Sequence, residues 1–209
     1  MFSSFNFSRL AVSISTVAFS VGGTFISVNP QIVAQSAPKC VPAANISEGT
    51  QPLPGNVPAN VRNAAQAAAN ATTKPTVKLT RFDSEKEDGV TIYELAGVQS
   101  NGCKLEIDAI APNKIEEIET ELATLNQVPA PVRNTLNKRL PASSFKVTFI
   151  ERSQRPQPPK PVPPLSGVNV VYEIEGTCTR AISGTCKAGE KLEADINENG
   201  TTIVVESAS

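Results

Sequence analysis

The sequence predicts an α+β fold of two tandem repeats, each an N-terminal helix packed on a 3–4-stranded antiparallel sheet. The segment 57–63 recurs at 128–134 with six of seven residues identical. A segment order that recurs along a chain is typical of duplicated structural units, and the repeats are predicted to span 57–125 and 126–209. Shorter matches follow in the same order: 78–80 with 146–148, 93–97 with 172–176, and 104–108 with 191–195.

The first repeat is predicted to begin with a helix over 58–70. Pro58 suits the first helical position, where its missing N–H costs nothing, and the alanine-rich stretch 64–69 favours helix. A polar turn is predicted over 83–89. In the last strand of this repeat apolar and charged residues alternate, so one face is expected to be buried and the other solvated. The predicted strands are 76–82, 90–95 and 103–109.

Residues 114–125 fit two kinds of structure. Ile115, Ile118 and Leu122 are spaced as on one side of a helix. The matching segment of the second repeat, 202–206, is rich in β-branched residues, which is typical of a strand. The repeat therefore predicts a strand over 114–119.

The second repeat contains a proline-rich insertion, predicted to span 154–166. Six of the nine residues over 156–164 are proline, which has no N–H to donate within a sheet. This stretch is expected to adopt polyproline II at a hairpin tip. The other elements of this repeat are a helix over 128–140 and strands over 144–151, 168–175, 190–196 and 201–206. The insertion supplies a candidate contact loop, whose residues are Pro156, Pro158, Pro159, Lys160, Pro161, Pro163 and Pro164.

The N-terminal segment has the pattern of a secretory signal peptide. Arg9 is followed by an uncharged, largely apolar stretch, 10–28, and then by small residues around Ala34. Residues 1–36 are predicted to be a signal peptide, so that the mature protein is periplasmic or extracellular and free of the membrane; a retained anchor is the alternative. The proline-rich stretch 37–56 is predicted to be an exposed arm.

Four cysteines follow the predicted signal peptide: Cys40, Cys103, Cys178 and Cys186. An even number in an exported chain indicates disulfide bonds, and four cysteines allow three pairings. We expect Cys178 to pair with Cys186 across a hairpin and Cys40 to pair with Cys103, which ties the arm to the first sheet. A zinc site needs closely spaced thiolates, which the isolated Cys40 and Cys103 do not supply.

The composition argues against several kinds of function. The formal net charge is −1, whereas nucleic-acid binding requires a basic patch. The chain has no histidine, which removes Ser-His-Asp and Cys-His catalysis and imidazole metal sites. The sequence therefore predicts a protein that is not an enzyme, holds no cofactor or metal, and does not bind nucleic acid.

Three further patterns have simple structural interpretations. The segment 195–206 matches the sequence pattern of a calcium-binding EF-hand loop. Its strand-like flanks and Asn199-Gly200 instead favour a hairpin turn. The acidic residues within 83–88 are predicted to lie on a solvated hairpin tip rather than to form a catalytic pair. Tyr93 and Tyr172 are predicted to close each sheet on its helix rather than to stack on a ligand.

Short motifs in both halves resemble PepSY-like modules. They are a Val-Pro-Ala helix start, a Gly-Val-x-x-Tyr-Glu strand at 89–94 and a Lys-Leu-Glu-x-Asp strand at 104–108. Two such modules in tandem are similar in architecture to β-lactamase-inhibitory proteins. The resemblance covers 57–119 and 128–206, and it implies exported, non-catalytic modules, some of which restrain peptidases or bind other proteins.

The sequence thus predicts an exported, non-catalytic module that binds a protein or peptide. One specific function of this kind is to restrain an exported peptidase. The alternative is a small-ligand carrier with an apolar pocket between sheet and helix. The contact surface is expected on the polar sheet face, a mixed-charge platform beside the contact loop. Its predicted members are Lys104, Glu106 and Asp108 in the first repeat and Lys191, Glu193 and Asp195 in the second.

Deleting residues 156–164 is expected to weaken partner binding and to leave the Tm nearly unchanged, because an exposed loop tip makes few core contacts. Thermal unfolding and binding to a partner captured from the exported fraction measure the two effects. Unfolding of the deletion variant would show that the loop is structural. Binding at full strength would place the contact surface elsewhere.

Overall fold

The computed structural model of the protein describes Cys40, residues 50–155 and residues 169–208. These residues belong to one compact unit, Val33–Ser209. The α-helices are α1 (Ala59–Thr72) and α2 (Ala130–Arg139), and a 3-10 helix, Leu125–Gln127, precedes α2. The strands are β1 (Gln51–Pro52), β2 (Leu79–Glu87), β3 (Val90–Val98), β4 (Lys104–Ile110), β5 (Lys114–Glu121), β6 (Phe145–Gln154), β7 (Val170–Cys178), β8 (Lys191–Asn197) and β9 (Ile203–Ser207).

The nine strands form one antiparallel sheet in the order in which they occur along the chain. β5 pairs with β6 from Ile118–Gln154 to Glu121–Glu151, so the sheet continues across the middle of the chain. The predicted fold of two repeats, each a helix on its own 3–4-stranded sheet, is therefore wrong: a single sheet dominates, and the described residues form only two α-helices. An edge strand leaves backbone N–H and C=O groups unpaired, and pairing β5 with β6 satisfies these groups on both strands.

Both helices pack on the same face of the sheet, which we call the helix face. Residues directly opposite each other on neighbouring strands point to the same face of the sheet. Ile107 is opposite Ile118, Ile118 is opposite Gln154, and Gln154 is opposite Val170, so these four residues share one face. Ile107 belongs to the hydrophobic cluster around α1, and Val170 belongs to the cluster around α2. The opposite face is covered by neither helix.

α1 lies close to the sheet because its inward side chains are small. Val61, Ala65 and Ala69 recur every four residues and are fully buried. The helix begins after Pro58, near the predicted start, and extends to Thr72. The sheet residues buried in the same cluster include Leu79, Phe82, Leu95, Leu105, Ile107 and Ala109.

α2 contributes a second apolar stripe to the helix face. Val132 and Leu136 are buried, and Leu140, directly after the helix, continues the four-residue spacing. Lys138 and Arg139 occupy the last turn, where cations interact favourably with the helix dipole. The sheet residues of this cluster include Phe145, Ile150, Ile174, Leu192, Ala194 and Ile196.

Two local predictions are confirmed and one is wrong. β5 shows that 114–119 is a strand, and β8 and β9 flank a turn in which Gly200 has φ +69°, so 195–206 forms the expected hairpin. The predicted polar turn over 83–89 is instead mostly strand, because β2 pairs with β3 as far as Glu87. Only Asp88 and Gly89 turn the chain, both with positive φ, as two-residue hairpins require.

Disulfide bonding is confirmed. Cys40 is bonded to Cys103 with Cα atoms 4.8 Å apart, and Cys178 is bonded to Cys186 with Cα atoms 6.5 Å apart. The first bridge spans 63 residues and the second 8. These separations are within the ordinary range for a disulfide bond.

Several sequence predictions lie outside the described residues. They are the signal peptide over 1–36, most of the arm over 37–56 and the contact loop from Pro156 to Pro164. Within the part of the chain that is described, no helix has both the length and the apolar character to cross a membrane.

Two glycines allow close backbone contact beside irregular strand pairs. Gly97 pairs with Leu79 and Gly176 pairs with Val147, and the register of each strand pair shifts at that point. A Cβ atom at Gly176 would lie 2.5 Å from the Lys146 carbonyl oxygen. A Cβ atom at Gly97 would lie 2.6 Å from the carbonyl oxygen of Lys78, the residue before β2. Any side chain at these positions would force the backbone apart.

Gly176→Ala is therefore expected to lower the free energy of unfolding by roughly 1–3 kcal/mol, the usual range for overpacking. Urea unfolding at neutral pH measures the change. Thr148→Ala, at an exposed position of β6, serves as the control and should change stability by less than about 0.5 kcal/mol. Wild-type stability of Gly176→Ala would contradict the proposed backbone contact.

Candidate functional site

The face opposite the helices carries a band of carboxylates. In β4 the buried Leu105 and Ile107 point to the helix face, so Glu106 and Asp108 lie on the other side. Strand register extends this assignment across the sheet. We define the acidic face as Asp83, Glu94, Glu106, Asp108, Glu117, Glu119, Glu121, Glu151, Glu173, Glu175, Glu193, Asp195 and Glu206.

Carboxylates of the acidic face lie directly opposite one another on neighbouring strands. One row comprises Asp83, Glu94, Asp108 and Glu117, a second Glu106 and Glu119, a third Glu121, Glu151, Glu173 and Asp195, and a fourth Glu175, Glu193 and Glu206. Like charges at directly opposed positions destabilise a sheet. A solvated face with a purely structural role would be more stable with opposite or neutral pairs, so folding does not account for these rows.

Few cations compensate these carboxylates in the described part of the chain. Lys104 Nζ lies 3.1 Å from Glu106 Oε2, and Arg155 Nε lies 3.0 Å from Glu117 Oε1. The backbone N–H of Lys104 also donates to Glu121 Oε2 at 2.7 Å. The predicted mixed-charge platform is thus an acidic surface with a few basic side chains.

Burial raises the pKa of several of these carboxyl groups. It raises the pKa of Asp108 to about 8, with further contributions from Glu119 and Glu106. It likewise raises the pKa of Glu173 to about 7, with Glu193 contributing. The pKa of Glu119 is also raised, first by burial and then by Glu106. Near neutral pH the acidic face therefore holds protons that a bound cation would displace.

Glu151 lies near the centre of the acidic face and is only 7% exposed. It is directly opposite Glu173 in the pairing of β6 with β7. The charge of Lys104 favours the ionised form of Glu151, but Lys104 Nζ also lies 3.1 Å from Glu106 Oε2. Burial raises the pKa of Glu151, and the charges of Glu119 and Glu173 raise it further.

Among the described residues, two groups of side chains have the spacing of metal ligands. Glu173, Glu175 and Glu193 each place a carboxylate oxygen within 4.8 Å of the other two. Cys40, Cys103 and Glu121 are also close together, but both sulfur atoms belong to a disulfide and offer no thiolate. The carboxylate group is the better candidate of the two.

Sequence alternation located part of the acidic face. Glu106 and Asp108 lie on the polar side of β4 as expected. Glu119, Glu151 and Glu173 were missed, because their proximity depends on the pairing of β5, β6 and β7. A local signal was present for Glu173, since its neighbours in the strand, Tyr172 and Ile174, are both buried.

The structure offers little support for an apolar ligand pocket between sheet and helix. A shallow groove of about 350 Å³ beside α1 is lined by Arg62, Gln66 and Lys78 as well as by leucines. Gln66 donates to the Val77 carbonyl oxygen at 2.8 Å and accepts from the Leu79 N–H at 3.1 Å. This groove is polar and open rather than an enclosed apolar cavity.

No protein-family model and no curated protein matches the chain. A candidate periplasmic protein from Bacteroides eggerthii has a similar structure, with 15% identity and a TM-score of 0.50 over 73% of this chain and 90% of its own. A DUF2874 family protein from Bacteroides uniformis has 15% identity and a TM-score of 0.47, over 72% of this chain and 88% of its own. A BLIP-like protein from Bacteroides fragilis has 16% identity and a TM-score of 0.45, over 74% of this chain and 92% of its own. The likeness to the first of these structures shows a shared fold and nothing beyond it.

Asp108→Asn is expected to make stability less dependent on pH. The pKa of Asp108 is about 8 in the folded protein and about 4 in an unfolded chain. Between these values the folded state binds more protons, so the free energy of unfolding falls as pH rises. Urea unfolding from pH 5 to 9 should give a slope that is less negative in the variant, by up to about 1.4 kcal/mol per pH unit.

Glu85→Gln, at an exposed position of β2, is the control for this experiment and should retain the wild-type slope. An unchanged slope in Asp108→Asn would show that the carboxyl group is ionised in the folded protein throughout this pH range.

Proposed function

We propose that the protein is an exported, non-catalytic module whose acidic face binds a basic segment of another exported protein. The observation that carries this proposal is the set of directly opposed carboxylates on the face that the helices leave uncovered. Arrangements that lower stability, such as opposed like charges, occur most often at functional sites, where a bound ligand can neutralise the charge. Lysine and arginine side chains would supply it here.

A basic segment suits the acidic face in charge and in reach. Extended chains and loops present lysine or arginine side chains that can reach individual carboxylates, and arginine binds a carboxylate through two parallel hydrogen bonds. The buried Glu151 and its neighbour Glu119 would act as the central anchor, because interactions between charges strengthen as water is excluded. Binding should therefore be sensitive to salt.

Export is part of the same proposal. Disulfide bonds persist in oxidising compartments, and the protein contains two. The predicted signal peptide over 1–36 and the resemblance to PepSY-like modules agree with a periplasmic or extracellular location. Restraint of an exported peptidase is the specific form that this resemblance suggests.

Binding of a defined basic peptide tests the proposal. A labelled decapeptide containing four lysines should bind saturably, as measured by fluorescence anisotropy, and a matched peptide with glutamates should not. Glu119→Gln/Glu151→Gln should weaken binding at least about tenfold, because removing buried members of a charge pair costs about 2 kcal/mol or more. Glu85→Gln/Glu87→Gln removes the same formal charge from the same side of the sheet, at exposed positions of β2 three or more strands from Glu119 and Glu151, and should change affinity by less than about threefold.

Equal losses in the two double variants would mean that binding reports net charge alone and would contradict a site centred on Glu119 and Glu151. Affinity capture from the exported fraction with wild type and Glu119→Gln/Glu151→Gln in parallel would then identify the natural partner. If a captured peptidase is inhibited by the wild type and not by the variant, the restraining role is supported.

A further inference from the structure

We propose that two copies of this chain dimerise along β9 (Ile203–Ser207), with their β9 strands paired antiparallel about a two-fold axis. This inference does not rest on the proposed function, because it uses an edge of the sheet rather than the acidic face. β9 is the last strand of the sheet, and among the described residues it pairs with β8 alone. We call the outer side of this strand the β9 edge.

The β9 edge presents backbone groups without a partner in the described part of the chain. The Asn197 N–H donates to the Thr202 carbonyl oxygen at 3.3 Å, so Thr202 bonds toward β8. Hydrogen-bonded pairs alternate along an antiparallel ladder. The residues that direct their N–H and C=O groups away from β8 are therefore Ile203, Val205 and Ser207, and no described residue hydrogen-bonds to these groups.

The two edges of the sheet differ in their protection against pairing. Natural edge strands are usually guarded by short length, proline, charged side chains or bulges. At the first edge, β1 has two residues and contains Pro52. Beyond it β2 exposes Glu85, Lys86 and Glu87, and its register shifts near its start. β9 instead carries the uninterrupted, half-exposed run Ile203-Val204-Val205 and pairs with β8 without a register shift.

The register of the β9 edge is self-complementary, which favours a second copy as the partner. Pairing centred on Val204 places this residue opposite its own copy, and it places Ile203 of each chain opposite Val205 of the other. Ile203 and Val205 are the residues with outward backbone groups, so they form the hydrogen-bonded pairs of the new ladder. Glu206 meets Thr202, and no like charges are opposed. This contact is isologous and closes at two chains.

The dimer would join the two sheets without covering their faces. Directly opposed residues share a face, so the helices of both copies lie on one side and both acidic faces lie on the other. Pairing of one short strand buries less surface than the roughly 1,200–2,000 Å² of a stable interface. The association is therefore expected to be reversible, with a Kd between about 1 µM and 1 mM.

Disulfide cross-linking of the purified protein tests the register. In oxidised glutathione Val204→Cys should form a covalent dimer at least about tenfold faster than Glu206→Cys. Opposed residues of a non-hydrogen-bonded pair have Cα atoms about 4.5 Å apart, within reach of a disulfide bond, whereas the two thiols of Glu206→Cys would be offset by about 13 Å along the strands. Ser84→Cys, exposed at the other edge, measures random collision. Equal rates in the three variants would overturn the proposal.

Sedimentation equilibrium from about 10 µM to 1 mM tests the association without a cross-link. The wild type should shift from monomer toward dimer mass. Val204→Lys should weaken this association at least about tenfold, because it opposes two like charges at the two-fold axis. Ser84→Lys adds the same charge at the other edge and should stay within about threefold of the wild type.

Circular dichroism should show that both lysine variants are folded, since Val204 is opposite Asp195 in β8, which can pair with the new charge, and Ser84 is exposed. A wild type that remains monomeric at about 1 mM, the upper limit of the expected Kd, would overturn the proposal. Equal weakening in the two lysine variants would also overturn it, because the association would then depend on net charge rather than on the β9 edge.

Discussion

The pairing of β5 with β6 is the constraint on which the rest of the structure depends. Residues 118–121 align with 151–154, and this short ladder converts two groups of strands into one sheet. It leaves one helix face on which both hydrophobic clusters form. It also brings Glu119 and Glu121 next to Glu151 and Glu173, so the most crowded part of the acidic face exists only because these strands meet.

The two faces of the sheet make opposite contributions to stability. On the helix face, fully buried aliphatic residues pack against α1 and α2, and each buried leucine, isoleucine or valine contributes roughly 1.5–3 kcal/mol. On the acidic face, carboxylates lose hydration and repel one another, and part of that repulsion is relieved by bound protons. The apolar packing is therefore what keeps an unfavourable charge distribution in a fixed geometry.

Features set by neighbours in sequence were predictable, and features set by distant strands were not. The start of α1 after Pro58 and the hairpin at Gly200 follow from local chemistry, and so does the alternation of β4. The single sheet was not predictable, because similar segments in the two halves carry no information on whether β5 and β6 pair. The acidic face was only partly predictable for the same reason, since its residues come from eight strands, β2 to β9.

The alternation of carboxylates with apolar residues also protects the fold against misassembly. Side chains in a strand change face at every residue, so a shift of one residue in the pairing of β4 would turn Glu106 and Asp108 toward α1 and expose Leu105 and Ile107. Each misplaced carboxyl group would be buried among alanines and valines at a cost of several kcal/mol. The charges thus select one strand register, because a pairing slipped by one residue would bury them.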